Sequence, residues 1–139
     1  MKRLPDWRVR LAAALDAIER TPLDYGYHDC AVGLAAGAVE AVLGVDMADR
    51  FRGRYRTAEE ALAILLEERA SSLHELVGRF LPAMPIGDMR LGDIAAIFDD
   101  SRLGCFLAVC SGERLIVVRP DGKGTIDRSR ASLAFRVGS

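Results

Sequence analysis

Histidine is scarce in this chain: His28 and His74 are the only two, and none follows residue 74. A thiol or hydroxyl nucleophile needs an imidazole or another base within reach, so an imidazole base from the C-terminal third is excluded. Three cysteines are an odd number without disulfide-framework spacing, which suits a reducing compartment. No C-x-x-C pair exists, and Cys105 and Cys110 are an odd number of residues apart. A regular strand would point them to opposite faces, about 16 Å apart, which disfavours both a zinc site and a disulfide. The net charge is −1, so no strong field recruits nucleic acid or anionic lipid. No apolar run reaches transmembrane length, and residues 1–10 lack the apolar core of a secretory signal. Synthesis in the cytoplasm and no membrane partner are the expectation. No Walker or Rossmann glycine loop appears, and no cofactor is expected.

What is present is the composition of one globular domain: 139 residues, half of them apolar and 28% charged. Trp7, Leu11, Leu15 and Ile18 recur at helical spacing, so an amphipathic first helix is predicted, ended by Thr21-Pro22. A second helix, from about Asp29 to Leu43, is apolar nearly all round and should be buried. Gly33, Gly37 and Ala41 fall four apart on it, which would let another element approach its backbone closely. Gly44 is a natural stop. Thr57 and Ser72, each followed three residues later by Glu, read as capping boxes that open two more helices. Pro82 and Pro85 then end a helical half of about 1–82.

From Leu91 the pattern changes to short apolar runs, Ile94 to Phe98, Cys105 to Cys110, Leu115 to Val118 and Leu133 to Val137. Turn clusters such as Asp99-Asp100-Ser101, Ser111-Gly112 and Pro120-Asp121-Gly122 separate them, and Gly122-Lys123-Gly124 reads as a hairpin turn. This argues an antiparallel meander over about 91–139. Helices first and strands after make an α+β domain, with the buried helix packed on a sheet of four to six strands.

His28-Asp29-Cys30 lies where the loop Tyr25-Gly26-Tyr27 runs into the buried helix. Asp is a preferred N-cap, so Asp29 can close the helix start and place Cys30 in its first turn. There the free amides and the helix dipole favour a thiolate, the address of a nucleophile. The blander reading makes Cys30 a small buried hydrophobe. His28 is either a structural residue of the loop or the base for Cys30, whereas His74 is expected on the solvent face of its helix. Arg50, Arg52, Arg54 and Arg56, with Phe51 and Tyr55 interleaved, read as a solvated loop, or else as a contact for nucleic acid or an acidic partner. Asp93, Asp99 and Asp100 read as turn and loop acids in water rather than an acid–base pair.

A cysteine at the start of a buried helix, followed by an antiparallel sheet entered through a Gly-Asp turn, resembles the NlpC-type cell-wall cysteine peptidases. Asp29-Cys30 matches the pair that starts their nucleophile helix. Met89-Arg90-Leu91-Gly92-Asp93 is similar to the segment leading into their first core strand. The Tyr-Gly-x-His-Asp-Cys loop and the stretch Phe51-Arg52-Gly53-Arg54-Tyr55-Arg56-Thr57 resemble more closely a small group encoded in phages, prophages and related tail gene clusters. The resemblance spans nearly the whole chain and implies a single papain-like, NlpC-type domain over residues 1–139. The departure is at Leu103 and Gly104, where the peptidases carry their histidine. The resemblance therefore implies a degraded catalytic centre, in a structural or cell-wall-binding module associated with phage tails. Tail proteins or peptidoglycan peptides would be its partners, and the virion its destination. The competing reading keeps an active peptidase or amidase with Cys30 as nucleophile, His28 as base and Asp29 beside them.

Overall fold

The computed structural model describes residues 1–119 and 122–139. Helix α1 spans Trp7–Glu19 and turns Leu11 and Ile18 into the core, as their spacing predicts. The Cys30 helix begins as a π-helical turn, Cys30–Ala35, and continues as α2, Ala36–Leu43. Leu34 donates to the Asp29 carbonyl at 2.8 Å, five residues back. The sequence reading of one regular helix is corrected there, because the first turn is widened where the entry loop packs against it. A Cβ on Gly33 would lie 2.8 Å from the His28 Cα and 2.9 Å from the Tyr27 carbonyl oxygen. Gly37, by contrast, has open space around it, so only one of the two glycines serves a close approach. Gly44 closes α2 in the left-handed conformation.

Helices α3 (Ala58–Glu67) and α4 (Leu73–Val77) start where their caps place them: Thr57 accepts from the Glu60 amide and Ser72 from the Glu75 amide. Among the described residues six strands follow, β1 (Ala83–Met84), β2 (Ile94–Phe98), β3 (Cys105–Cys110), β4 (Arg114–Arg119), β5 (Gly122–Asp127) and β6 (Leu133–Phe135). All pair antiparallel in the order β1-β6-β2-β3-β4-β5. Strands β2, β3 and β4 follow the expected meander, which continues into β5 where a turn is predicted, and β6 crosses back to pair with β2 on its other edge. The sheet is therefore not a pure meander. The run Gly122-Lys123-Gly124 belongs to a strand rather than a turn. The turn read at Pro120-Asp121 lies outside the described residues.

One face of the sheet carries the helices. Ile94 and Ala96 on β2, and Cys105, Leu107 and Val109 on β3, join Leu34, Ala38, Val39 and Val42 in the main core. The alternate residues Ala95, Ile97, Ala108 and Cys110 form a smaller core on the other face. Cys105 and Cys110 thus face opposite ways, as an odd separation requires. A third cluster joins Val32 and Ala36 to Phe51, Tyr55, Ile64, Leu65 and Leu76.

The turn into β2 is built differently from its sequence reading. Asp93 is fully buried rather than solvated. It takes Arg3 at 3.1 Å, the Val137 amide at 3.0 Å and the Arg90 amide at 2.8 Å. Arg3 also donates to the carbonyls of Leu91 (2.7 Å) and Val137 (3.0 Å). One ion pair thereby ties both ends of the chain to the sheet. Asp99 and Asp100 are exposed, as expected.

Candidate functional site

The site begins with Asp29. Its Oδ1 accepts from the amides of Ala31 (3.0 Å) and Val32 (2.8 Å), so it is the N-cap its type and position predict. Its Oδ2 accepts from the Gly26 amide at 3.0 Å and from the Tyr55 hydroxyl. The residue is 4% exposed. The tyrosine comes from the arginine-rich stretch, and local pattern gives no sign that it meets Asp29.

That contact is one stitch of a larger clasp between the two motifs. Gly26 has φ +91°, and a side chain there would overlap the Tyr55 carbonyl. Gly53 has φ +78°, and a Cβ there would lie 2.6 Å from the Tyr27 hydroxyl oxygen. The Gly53 amide donates to the Gly26 carbonyl at 2.9 Å. Each loop thus lacks a side chain where the other crosses it. Phe51 and Tyr55 are core residues, not part of a solvated loop.

The arginines between them have partners within the chain. Arg52 forks onto Asp46 and donates to the Val32 carbonyl at 3.0 Å. Arg50 meets Glu68 at 2.6 Å and Arg54 meets Glu67 at 3.3 Å. Arg56 lies over the Tyr27 ring, 5.1 Å from its centroid. Arginines bound this way organise the loop, which weakens its reading as a recognition surface.

Cys30 stands at the predicted helix start but in an unexpected environment. It lines an apolar cavity of about 140 Å³ between the π-turn, the docked loop, α3, α4 and the sheet. Burial, and after it the Asp29 charge, push its thiol up from 9.0 to about 12, against a smaller lowering by a hydrogen bond from the Leu107 backbone. At pH 7 about one such thiol in 10⁵ is ionised. The helix start does not lower this pKa, for a physical reason. The free amides of the first turn already serve the Asp29 carboxylate, whose negative charge then repels a thiolate one residue away.

Neither histidine lines the cavity that Cys30 lines. His28 exchanges main-chain hydrogen bonds with Asp24 (2.8 and 3.1 Å), closing the Tyr25-Gly26-Tyr27 loop as an antiparallel bridge. It lines a different groove, with Arg10, Tyr27, Gly33 and Gly37, whereas Cys30 lines the apolar cavity. His74 is half-buried rather than on a solvent face. Its ring packs 4.9 Å from that of Phe98, and its Nδ1 is buried without a hydrogen-bond partner. Gly104 makes room for it: a Cβ there would lie 3.3 Å from the His74 Cε1. On β3, the residues that face the helices near Cys30 are Cys105 and Leu107, neither of them a base. The Cys105 thiol is likewise pushed up to about 12, chiefly by burial.

Among the described residues, no cluster of three His, Cys, Asp or Glu side chains could hold a metal, and no helix is long and apolar enough to cross a membrane. No curated protein matches the chain. Residues 2–137 match the family model described as "Domain of unknown function (DUF6950)", and the chain belongs to that family.

Proposed function

We propose that this domain is a non-hydrolytic relative of the NlpC-type peptidases: a binding or structural module, associated with phage or prophage tails, that keeps the papain-like arrangement and has lost its chemistry. The observation that carries the reading is the state of Cys30. Its thiol is neutral, lies in an apolar cavity, and is flanked on the sheet by Cys105 and Leu107. Nucleophilic cysteines need the opposite, a lowered pKa and a base within hydrogen-bond reach. The NlpC-type arrangement is supported by the capped Cys30 helix packed on an antiparallel sheet and by the Leu91-Gly92-Asp93 turn into β2. The tail association draws on the resemblance of the two loop motifs, which fold here as one interlocked unit.

The test is hydrolysis of peptidoglycan stem peptides by the purified protein. No cleavage is expected, and Cys30→Ala should behave as the parent does. Cleavage that disappears in Cys30→Ala would overturn the proposal in favour of an active peptidase or amidase. Loss of the same cleavage in His28→Ala would then identify that residue as the base.

A further inference from the structure

We infer that the cavity beside Cys30 is a binding site for one small, uncharged hydrocarbon group about the size of benzene. The inference names the ligand class of the site just described and rests on its non-hydrolytic reading. Three observations carry it.

The first is size and lining. The cavity measures about 140 Å³, and its wall includes Val39, Phe51, Ile64, Leu65, Leu107 and the Cys30 thiol. Apolar cavities of about 150 Å³ stay dry and take up benzene or xenon. A soft, polarisable sulfur in the wall favours aromatic contact further.

The second is why the cavity stays open. Alanines stand at positions 31, 35, 36, 48 and 61 of the wall, where Leu or Ile would fill the space. An empty cavity lowers stability in proportion to its volume. Tyr25, Met47, Ala61 and Leu103 in the lining are half-buried, so part of the wall lies close to the surface.

The third is the chemistry of its polar edge. Asp29 borders the cavity, but its two oxygens already accept four hydrogen bonds, and the Tyr55 hydroxyl is one of the donors. A water molecule needs two to four polar partners, and these groups are engaged. The buried carboxylate repels an anion, which excludes fatty-acid headgroups. Its oxygens are engaged and the rest of the lining is largely apolar, so a cation would be desolvated without ligands, which leaves an uncharged group as the occupant.

The experiment uses the full chain and two probes, benzene and hexanoate, followed by methyl NMR and thermal unfolding. Benzene should shift methyl signals of residues around the cavity saturably and raise the melting temperature with concentration. Ala36→Leu and Ala61→Leu, on two different walls, should each weaken benzene binding by at least about tenfold. Using two variants covers the case in which one is too crowded to fold. Hexanoate should bind more weakly than benzene. The inference is overturned by an unsaturable benzene response, by shifts that persist in a folded filled variant, or by hexanoate binding as tightly as benzene. Absence of benzene binding together with uncleaved stem peptides would remove this inference and leave the non-hydrolytic reading standing. Cleaved stem peptides would remove that reading itself.

Discussion

The contact between Asp29 and Tyr55 joins the two sequence motifs, and its contribution can be worked out from its donors. In Asp29→Ala the helix loses its cap, at about 1 kcal/mol. The Gly26 amide and the Tyr55 hydroxyl also lose their acceptor while buried, at about 1–3 kcal/mol each. The expected destabilisation is about 3–7 kcal/mol, a large share of the 5–15 kcal/mol typical of a domain. Tyr55→Phe removes one hydrogen bond to a charged acceptor and should lose about 1.5–3 kcal/mol.

The two losses share one interaction, so they should not add. Once Phe replaces Tyr55, no hydroxyl is stranded by Asp29→Ala, and the double variant should be less destabilised than the sum by about 1–3 kcal/mol. Urea unfolding of the parent, both single variants and the double variant measures this coupling directly. Additivity within about 0.5 kcal/mol would refute the clasp as an energetic unit, whatever the single losses.

Gly37→Ala should stabilise the protein by about 0.5–1 kcal/mol through helix propensity, because nothing lies within 4 Å of the added Cβ. Gly33→Ala should destabilise it, since its Cβ meets the His28 backbone at 2.8 Å; thermal unfolding that ranks the two alike would contradict this contrast. Arg3→Met strands the buried Asp93 carboxylate and should reduce stability by about 3–5 kcal/mol in urea titrations. The thiols of Cys30 and Cys105 have folded pKa values raised from 9.0 to about 12, so their stabilising contribution is complete below pH 9 and disappears as pH rises towards 12. Unfolding free energies between pH 8 and 11 should therefore fall less steeply in Cys30→Ala than in the parent, and parallel curves would argue against a buried neutral thiol.

What could be read from the sequence was what short-range rules decide. Asp29, Thr57 and Ser72 cap helices because a side-chain oxygen must meet amides two or three residues ahead, and nothing distant interferes. Strands β2 and β3 have their expected ends because continuous apolar runs were bounded by turn residues. Strand β5 was hidden because Gly122 and Gly124 carry no strand propensity and are held by pairing with β4. Strand β1 is two residues long between Pro82 and Pro85, too short for any periodicity to show.

The site divides along the same line. Its address, Cys30 behind an Asp cap, is local and was visible. Its chemistry depends on Tyr55, which bonds Asp29 from twenty-six residues away and lines the cavity, and on β3, whose Leu107 shares that wall. A helix start favours an anion only while its amides are free. Here the aspartate that makes the start recognisable is also the group that occupies those amides and places a negative charge beside the thiol. The aspartate that makes the pair look like a nucleophile's setting therefore adds, after burial, to what keeps the thiol neutral in this fold.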